Sequence, residues 1–407
     1  MPTDRGQRPG DPGAADHRDG ALDRRDFARR CAVAAGGLAL GGWALGDLFG
    51  SDTGTRRSGH ALIHDGPTSL SPGARIAEWW EPAGGFVHCR LCPHQCVLAP
   101  GDRGFCRARA NVDGALYTLV YGRPCSVHVD PVEKKPLYHF LPGQPILSLA
   151  TAGCNLRCRN CQNWEISQAR PGEVEAGDLA PDTVAEYAAR QQIPAIAYTY
   201  TEPVVFYEYT RDTALAARRQ QVRNVLVTAA YVEPAPLRQL CAVVDAANVD
   251  LKSFDEEVYT ELVGGHLQPV LRALEIMVRE GVWVEVTRLI VPGHSDDADD
   301  LRRQFDWMAG HLGPDTPLHL SRFHPAYQLQ SLPPTPLETL DRARELAREA
   351  GLHYVYVGNV PGHGAQDTHC PSCGRLVIQR QGYRIARNAL DGDGRCPCGN
   401  RIAGVWL

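Results

Sequence analysis

The 407-residue chain lacks a charge excess of either sign: 42 lysines and arginines stand against 47 aspartates and glutamates, a formal net charge of −5. No broad basic field results, so nucleic acid is not the expected partner. It also lacks a long, strongly apolar run. The nearest approach, Cys31 to Phe49, is mildly apolar and rich in glycine and alanine, too weak to predict a stable membrane span. Arg29 and Arg30 precede Cys31 where a lipoprotein would carry small apolar residues, which argues against a lipid anchor.

A third absence concerns cysteine. Cys154, Cys158 and Cys161 lie in the run Thr151-Ala-Gly-Cys-Asn-Leu-Arg-Cys-Arg-Asn-Cys161, and no fourth cysteine follows closely. Four thiolates close the coordination of a 4Fe-4S cluster, whereas a local set of three leaves one iron open to a non-protein ligand. Zinc or plain burial explains the trio less well, because zinc knuckles come as CxxC pairs and three thiols this close seldom share an apolar core. The apolar run Ile146 to Ala150 before the loop reads as a strand, so the cysteines sit at a strand end.

The 14 cysteines are unevenly spread. A disulfide framework belongs mainly to small domains without a core, so clusters at ligand spacing point to metals. Cys89, Cys92, Cys96 and Cys106 form one set in residues 86–140, where Ala115 to Tyr121 alternates as a strand. Zinc and an iron-sulfur cluster are both open readings there, and a structural metal is the expectation. Cys370, Cys373, Cys396 and Cys398 form another in residues 363–407, as two Pro- and Gly-bearing knuckles like those of a zinc ribbon. The second knuckle is one residue shorter than usual.

Between these sets, residues 141–362 alternate apolar, β-branched runs with helix-period stretches. Strands are expected over 146–151, 195–201, 222–228, 249–253, 282–291, 318–323 and 354–357, with helices between them. Repeated strand-helix units imply a parallel sheet, and a cofactor loop after the first strand implies a complete or partial (β/α) barrel with its chemistry at the strands' carboxyl ends. Polar residues collect at those ends: Tyr198 to Pro203, Asp250 and Lys252, Glu285 and Arg288, Ser321 to Pro325, and Gly358 to Gly362. Residues 51–85, with Gly, Ser, Thr and Pro among charges, are expected to be linker. Asp23-Arg24-Arg25-Asp26-Phe27, within 1–50, resembles a twin-arginine export signal, the alternative being a basic N-terminus in a cytoplasmic protein.

From Cys89 to Trp406 the chain resembles the radical S-adenosylmethionine (SAM) enzyme of the AmmeMemoRadiSam system, itself similar to pyruvate formate-lyase activating enzymes. Cys-Arg-Leu-Cys-Pro, Arg-Gly-Phe-Cys, Asp130 to Leu137, Cys161 to Ser167, Tyr-Thr-Glu-Pro, Asp-Leu-Lys-Ser-Phe, Ser-Arg-Phe-His-Pro and Val-Gly-Asn-Val-Pro-Gly carry the likeness. It implies a SAM radical core on a partial barrel, a 4Fe-4S cluster on Cys154, Cys158 and Cys161, and a 5′-deoxyadenosyl radical that abstracts hydrogen from a protein or small molecule. Glu202 would meet the methionine ammonium, with Asp250, Lys252 and Arg288 holding the rest of the cofactor. A reductant such as flavodoxin or ferredoxin is implied as a partner. Two positions depart from the pattern: Asn160 replaces the usual aromatic before the third cysteine, and Ala229-Ala230 stands where relatives tend to have Asn-Gly. An iron-sulfur electron carrier that leaves SAM uncleaved, or a metal-stabilised interaction module with a vestigial triad, are the alternatives.

Overall fold

The computed structural model describes residues 72–406; the export-like segment and residues 51–71 of the expected linker lie outside the described residues. The remainder of that expected linker is not linker. β1 (Arg75–Ile76) and β2 (Trp80–Ala83) pair antiparallel with β6 (Ala115–Thr118) and β3 (Phe86–Cys89), so the local backbone is satisfied by ladders rather than by water. With β4 (Val97–Leu98) and β5 (Arg109–Val112) they make two small sheets, ordered β2-β3-β4 and β1-β6-β5, which carry the first cysteine set.

The centre is one eight-stranded mixed sheet: β7 (Ser126–Pro131), β8 (Pro145–Ala150), β9 (Ala195–Tyr198), β10 (Arg223–Thr228), β11 (Ala246–Asp250), β12 (Trp283–Ile290), β13 (Leu318–Arg322) and β14 (Val355–Gly358), in sequential order. β8 to β14 are mutually parallel, and β7 lies antiparallel on β8. β7 falls within the expected 86–140 unit, yet it pairs with the central sheet along its whole length, so the boundary drawn at 140 cuts through the sheet.

Helices fill the crossovers: α1 (Pro181–Arg190), α2 (Tyr207–Arg219), α3 (Pro234–Cys241), α4 (Leu267–Arg279), α5 (Ala298–His311) and α6 (Leu337–Glu349). Two of them, α1 and α3, open with proline at the first turn, where its missing N–H costs nothing. The Asp297 side chain caps α5 by accepting from Asp299 and Asp300 N–H. One apolar cluster lies between these helices and the sheet. A second, on the opposite face, packs Val132, Leu137 and Phe140 against Ile146, Ala195 and Val225. The segment after β7 therefore runs across the inner face and closes one end of the curled sheet.

The C-terminal unit, β15 (Thr368–His369), β16 (Leu376–Gln381) and β17 (Arg384–Asn388), docks on that closed end. His139 joins them: its Nδ1 lies 2.6 Å from Ala403 O and its Nε2 2.5 Å from the Tyr356 hydroxyl. Arg380 donates to Tyr138 O at 2.8 Å and lies over the Tyr138 ring.

Candidate active site

At the carboxyl ends of the parallel strands a cavity of about 920 Å³ opens. Every strand from β8 to β14 contributes to its wall or to the loop that follows, which a flat sheet could not do. The loop after β8 delivers Cys154, Cys158 and Cys161 to this cavity, where Glu202, Asp250 and Lys252 also arrive.

The cysteine loop is held by close backbone contacts. Gly153, at φ +97°, is a position where a Cβ would come within 2.6 Å of Cys106 O, so only glycine lets the loop lie this close to the first cysteine unit. Arg157 donates to Cys154 O at 2.9 Å and to Phe105 O, its guanidinium stacked on the Phe105 ring, while its own N–H is held by Val263 O. His94 Nε2 lies 2.8 Å from Asn155 O. Burial pushes the Cys154 thiol well above its usual range and the Cys158 thiol up to about 11, the latter despite the opposing pull of Lys252. Metal ligation would have to displace those protons.

Glu202 is buried, with its carboxylate accepting from the Thr228 hydroxyl at 2.6 Å and from Ala229 N–H at 2.8 Å. Burial raises its pKa, and these donors oppose the rise. The departure at Ala229 thus leaves this contact intact, because a backbone group makes it. Lys252 Nζ lies 2.9 Å from Asp250 Oδ2; burial alone would lower the lysine, but Asp250 and Cys158 outweigh it and keep the ammonium charged. Tyr200 and Asn359, which line the cavity, and Ala230, buried directly after the lining Ala229, hold left-handed backbones just beyond β9, β14 and β10. Such conformations are costly and gather where function overrides local preference.

Two expectations fail here. Arg288 does not reach the cavity. It is buried on the helix side of β12, donating to Asp300 at 2.6 Å, Gln304 at 2.6 Å and Ser295 O at 2.8 Å, because its neighbours Thr287 and Leu289 take the inward positions. Tyr198 likewise points outward and donates to Asn224, whereas Tyr200 lines the cavity. Glu285 faces inward but serves the closed end, accepting from Tyr138 and His139 N–H and pairing with His319 at 2.7 Å.

Other groups on the cavity wall were not singled out as site residues. Lys135 donates to Asp130 at 2.6 Å and to the Tyr200 hydroxyl at 3.2 Å, and burial brings it down to about 8. The Asn160 side-chain oxygen is buried with no hydrogen-bond partner. Inclusion of Lys134 and Lys135 in the run 130–137 was the one available sequence signal for the first; nothing marked the second beyond its unusual identity.

The four C-terminal cysteines converge independently. Their sulfurs all lie within 4.8 Å of one another, with Cys370 and Cys398 3.7 Å apart and Cys373 and Cys396 3.7 Å apart. The shortened second knuckle does not prevent closure, and the group could hold a metal ion.

Comparison with known proteins gives this arrangement its class. Residues 148–305 match the model of the radical SAM superfamily. The chain is 47% identical over 318 residues to an uncharacterised protein of Methanocaldococcus jannaschii, covering 78% of this chain and 95% of that one. It is 24% identical over 220 residues to a pyruvate formate-lyase activating enzyme of Escherichia coli, covering 50% of this chain and 89% of the relative. A radical SAM methyltransferase structure from Sphaerobacter thermophilus aligns at TM-score 0.43 and 16% identity over 58% of this chain and 71% of its own. The chain belongs to the radical SAM superfamily. It is a radical SAM enzyme, and the family implies a 4Fe-4S cluster and SAM as cofactors. Among the described residues no helix is long and apolar enough to cross a membrane.

Proposed function

We propose that Cys154, Cys158 and Cys161 hold the 4Fe-4S cluster, that SAM binds beside it in the large cavity, and that a protein or small molecule entering the same mouth loses a hydrogen atom. One observation carries this reading: three thiols, a buried carboxylate and an ion pair from separate strands meet at the carboxyl end of one sheet. When bound and reduced, the cluster supplies the electron that splits the sulfonium S–C bond and yields the 5′-deoxyadenosyl radical.

The chain's own residues bind and orient. Glu202, fixed by Thr228 and Ala229 on one side, accepts the methionine ammonium, and that added positive charge holds its carboxyl ionised against burial. Asp250 offers an acceptor and Lys252 a cation to the rest of the cofactor. Asn160 lines the cavity where an aromatic ring is usual, so the adenine contact there is polar. The sheet acts as a partial (β/α) barrel whose filled lower end keeps water from the reacting centre.

Likeness to an activating enzyme supports a protein substrate, with a low-potential donor such as flavodoxin or ferredoxin as reductant. The C-terminal group takes zinc in this reading, since four sulfurs about 2.3 Å from one tetrahedral ion stand about 3.8 Å apart, and two of the observed separations are 3.7 Å with all four sulfurs within 4.8 Å.

Anaerobic reconstitution, reduction and addition of SAM should yield 5′-deoxyadenosine, and alanine at any triad cysteine should abolish it. Undiminished product from Cys158→Ala would overturn the assignment. Deuterium carried into 5′-deoxyadenosine from a labelled candidate then identifies the substrate.

A further inference from the structure

The first cysteine set differs in geometry from the C-terminal one. Cys89, Cys92, Cys96 and Cys106 line one small cavity with apolar side chains such as Leu91, Leu98 and Val204. Among the described residues, the C-terminal group alone brings three or more His, Cys, Asp or Glu ligand atoms within 4.8 Å of one another. The first set therefore stands wider around its cavity, as do the triad thiols. A single zinc ion draws its four sulfurs to about 3.8 Å. A four-iron cluster instead gives each thiolate its own iron, on the outside of a larger body.

A second observation concerns Arg109, which lines the same cavity and is 1% exposed. Its terminal nitrogens are taken, Nη2 by Glu208 at 2.6 and 2.7 Å and Nη1 by Glu78 O at 3.1 Å, but its Nε–H has no acceptor. A buried donor left without a partner is costly. Four thiolates around an iron-sulfur body carry net negative charge, and its sulfides accept N–H donors, which suits a buried guanidinium. The Phe105 N–H already points at Cys96 Sγ, 3.4 Å away.

The cavity also adjoins the triad. Asn155, the residue after Cys154, forms part of its wall, and Arg157 donates to the carbonyls of both Cys154 and Phe105.

We propose that Cys89, Cys92, Cys96 and Cys106 hold a second 4Fe-4S cluster, fully ligated by this chain and set directly beside the triad loop. With no open iron it cannot take SAM, and its chemistry is confined to gaining and losing single electrons. The assignment rests on the thiol geometry, and on the function proposed above only for the identity of its neighbour.

The test compares the full chain with a Cys154→Ala/Cys158→Ala/Cys161→Ala variant, both reconstituted without oxygen in ferrous iron, sulfide and zinc together. The wild type should hold about eight irons and the variant about four irons with as many sulfides. The variant's reduced electron paramagnetic resonance signal should not change when SAM is added. Zinc should stay near one equivalent in both. About four irons in the wild type, none in the variant and a second zinc in each would overturn the proposal, and where the variant folds poorly the wild type alone decides through its iron count, its zinc count and its response to SAM taken together. Equal iron in both proteins with no response to SAM would instead sink the triad assignment while leaving the second cluster standing.

Discussion

Arg288 Nη2 and Asp300 Oδ2 lie 2.6 Å apart on the helix side of β12, both buried. The pair makes Arg288 a structural residue rather than a cofactor ligand. Arg288→Met removes the buried cation of the pair and leaves Asp300 to Arg303, Ser253 and the Phe254 N–H, so it should cost about 3 kcal/mol of stability, the low end for a broken buried pair. The folded protein should still bind SAM as the wild type does. Denaturant titration and SAM titration of the same preparation check both halves, and a selective loss of SAM affinity at unchanged stability would contradict the placement.

The outward position of Arg288 is written in the sequence. Glu285 and Arg288 differ in parity along one strand, so they cannot face the same side, and one anchored residue would have settled both. Tyr198 and Tyr200 share parity, yet they diverge because β9 ends at Tyr198 and Tyr200 turns left-handed. The seven parallel strands and the helices between them were legible because period and spacing encode them locally, whereas β7, antiparallel at the sheet edge, was assigned to the preceding unit. The docking of the C-terminal unit was not, since its contacts join residues as far apart in the chain as His139 and Ala403.

Glu202→Gln isolates charge from shape. The amide can keep the Ala229 N–H bond through its oxygen and turn its nitrogen to the Thr228 hydroxyl, which then accepts, giving up only the 3.3 Å bond from Val204 N–H, so the fold should survive. The lost attraction for an ammonium, about 1.5–3 kcal/mol for a charge-assisted bond, corresponds to a roughly 10- to 100-fold weaker SAM affinity. Isothermal titration to the reconstituted enzyme measures it. Wild-type affinity would remove Glu202 from the cofactor site.

Zinc content follows the C-terminal thiols. Cys398→Ser should lose about one zinc per chain and expose the 363–407 unit to proteolysis, since small metal units draw folding energy from the ion. Iron bound elsewhere should be unchanged. Metal analysis with limited proteolysis checks this, and retained zinc would place it at another site.

His139 makes the docking of the C-terminal unit pH-dependent. Its Nδ1–H donates to Ala403 O, so Nε2 must accept from Tyr356, which only the neutral ring can do. Burial leads the shift, opposed by Glu285 and aided by Arg380 and His319, and brings the pKa down to about 4. A histidine with a depressed folded pKa contributes fully above its unfolded value of about 6.5 and loses that contribution as pH falls toward 4, about 3 kcal/mol in total. Denaturant midpoints at pH 7.5 and pH 4.5 should therefore drop further for the wild type than for His139→Asn, which starts lower but cannot charge. Zinc thiolates and carboxylates titrate alike in both chains, so the difference isolates the imidazole. Parallel slopes would show that His139 is free to protonate in the folded protein, and that the bond from Tyr356 does not hold the C-terminal unit in place.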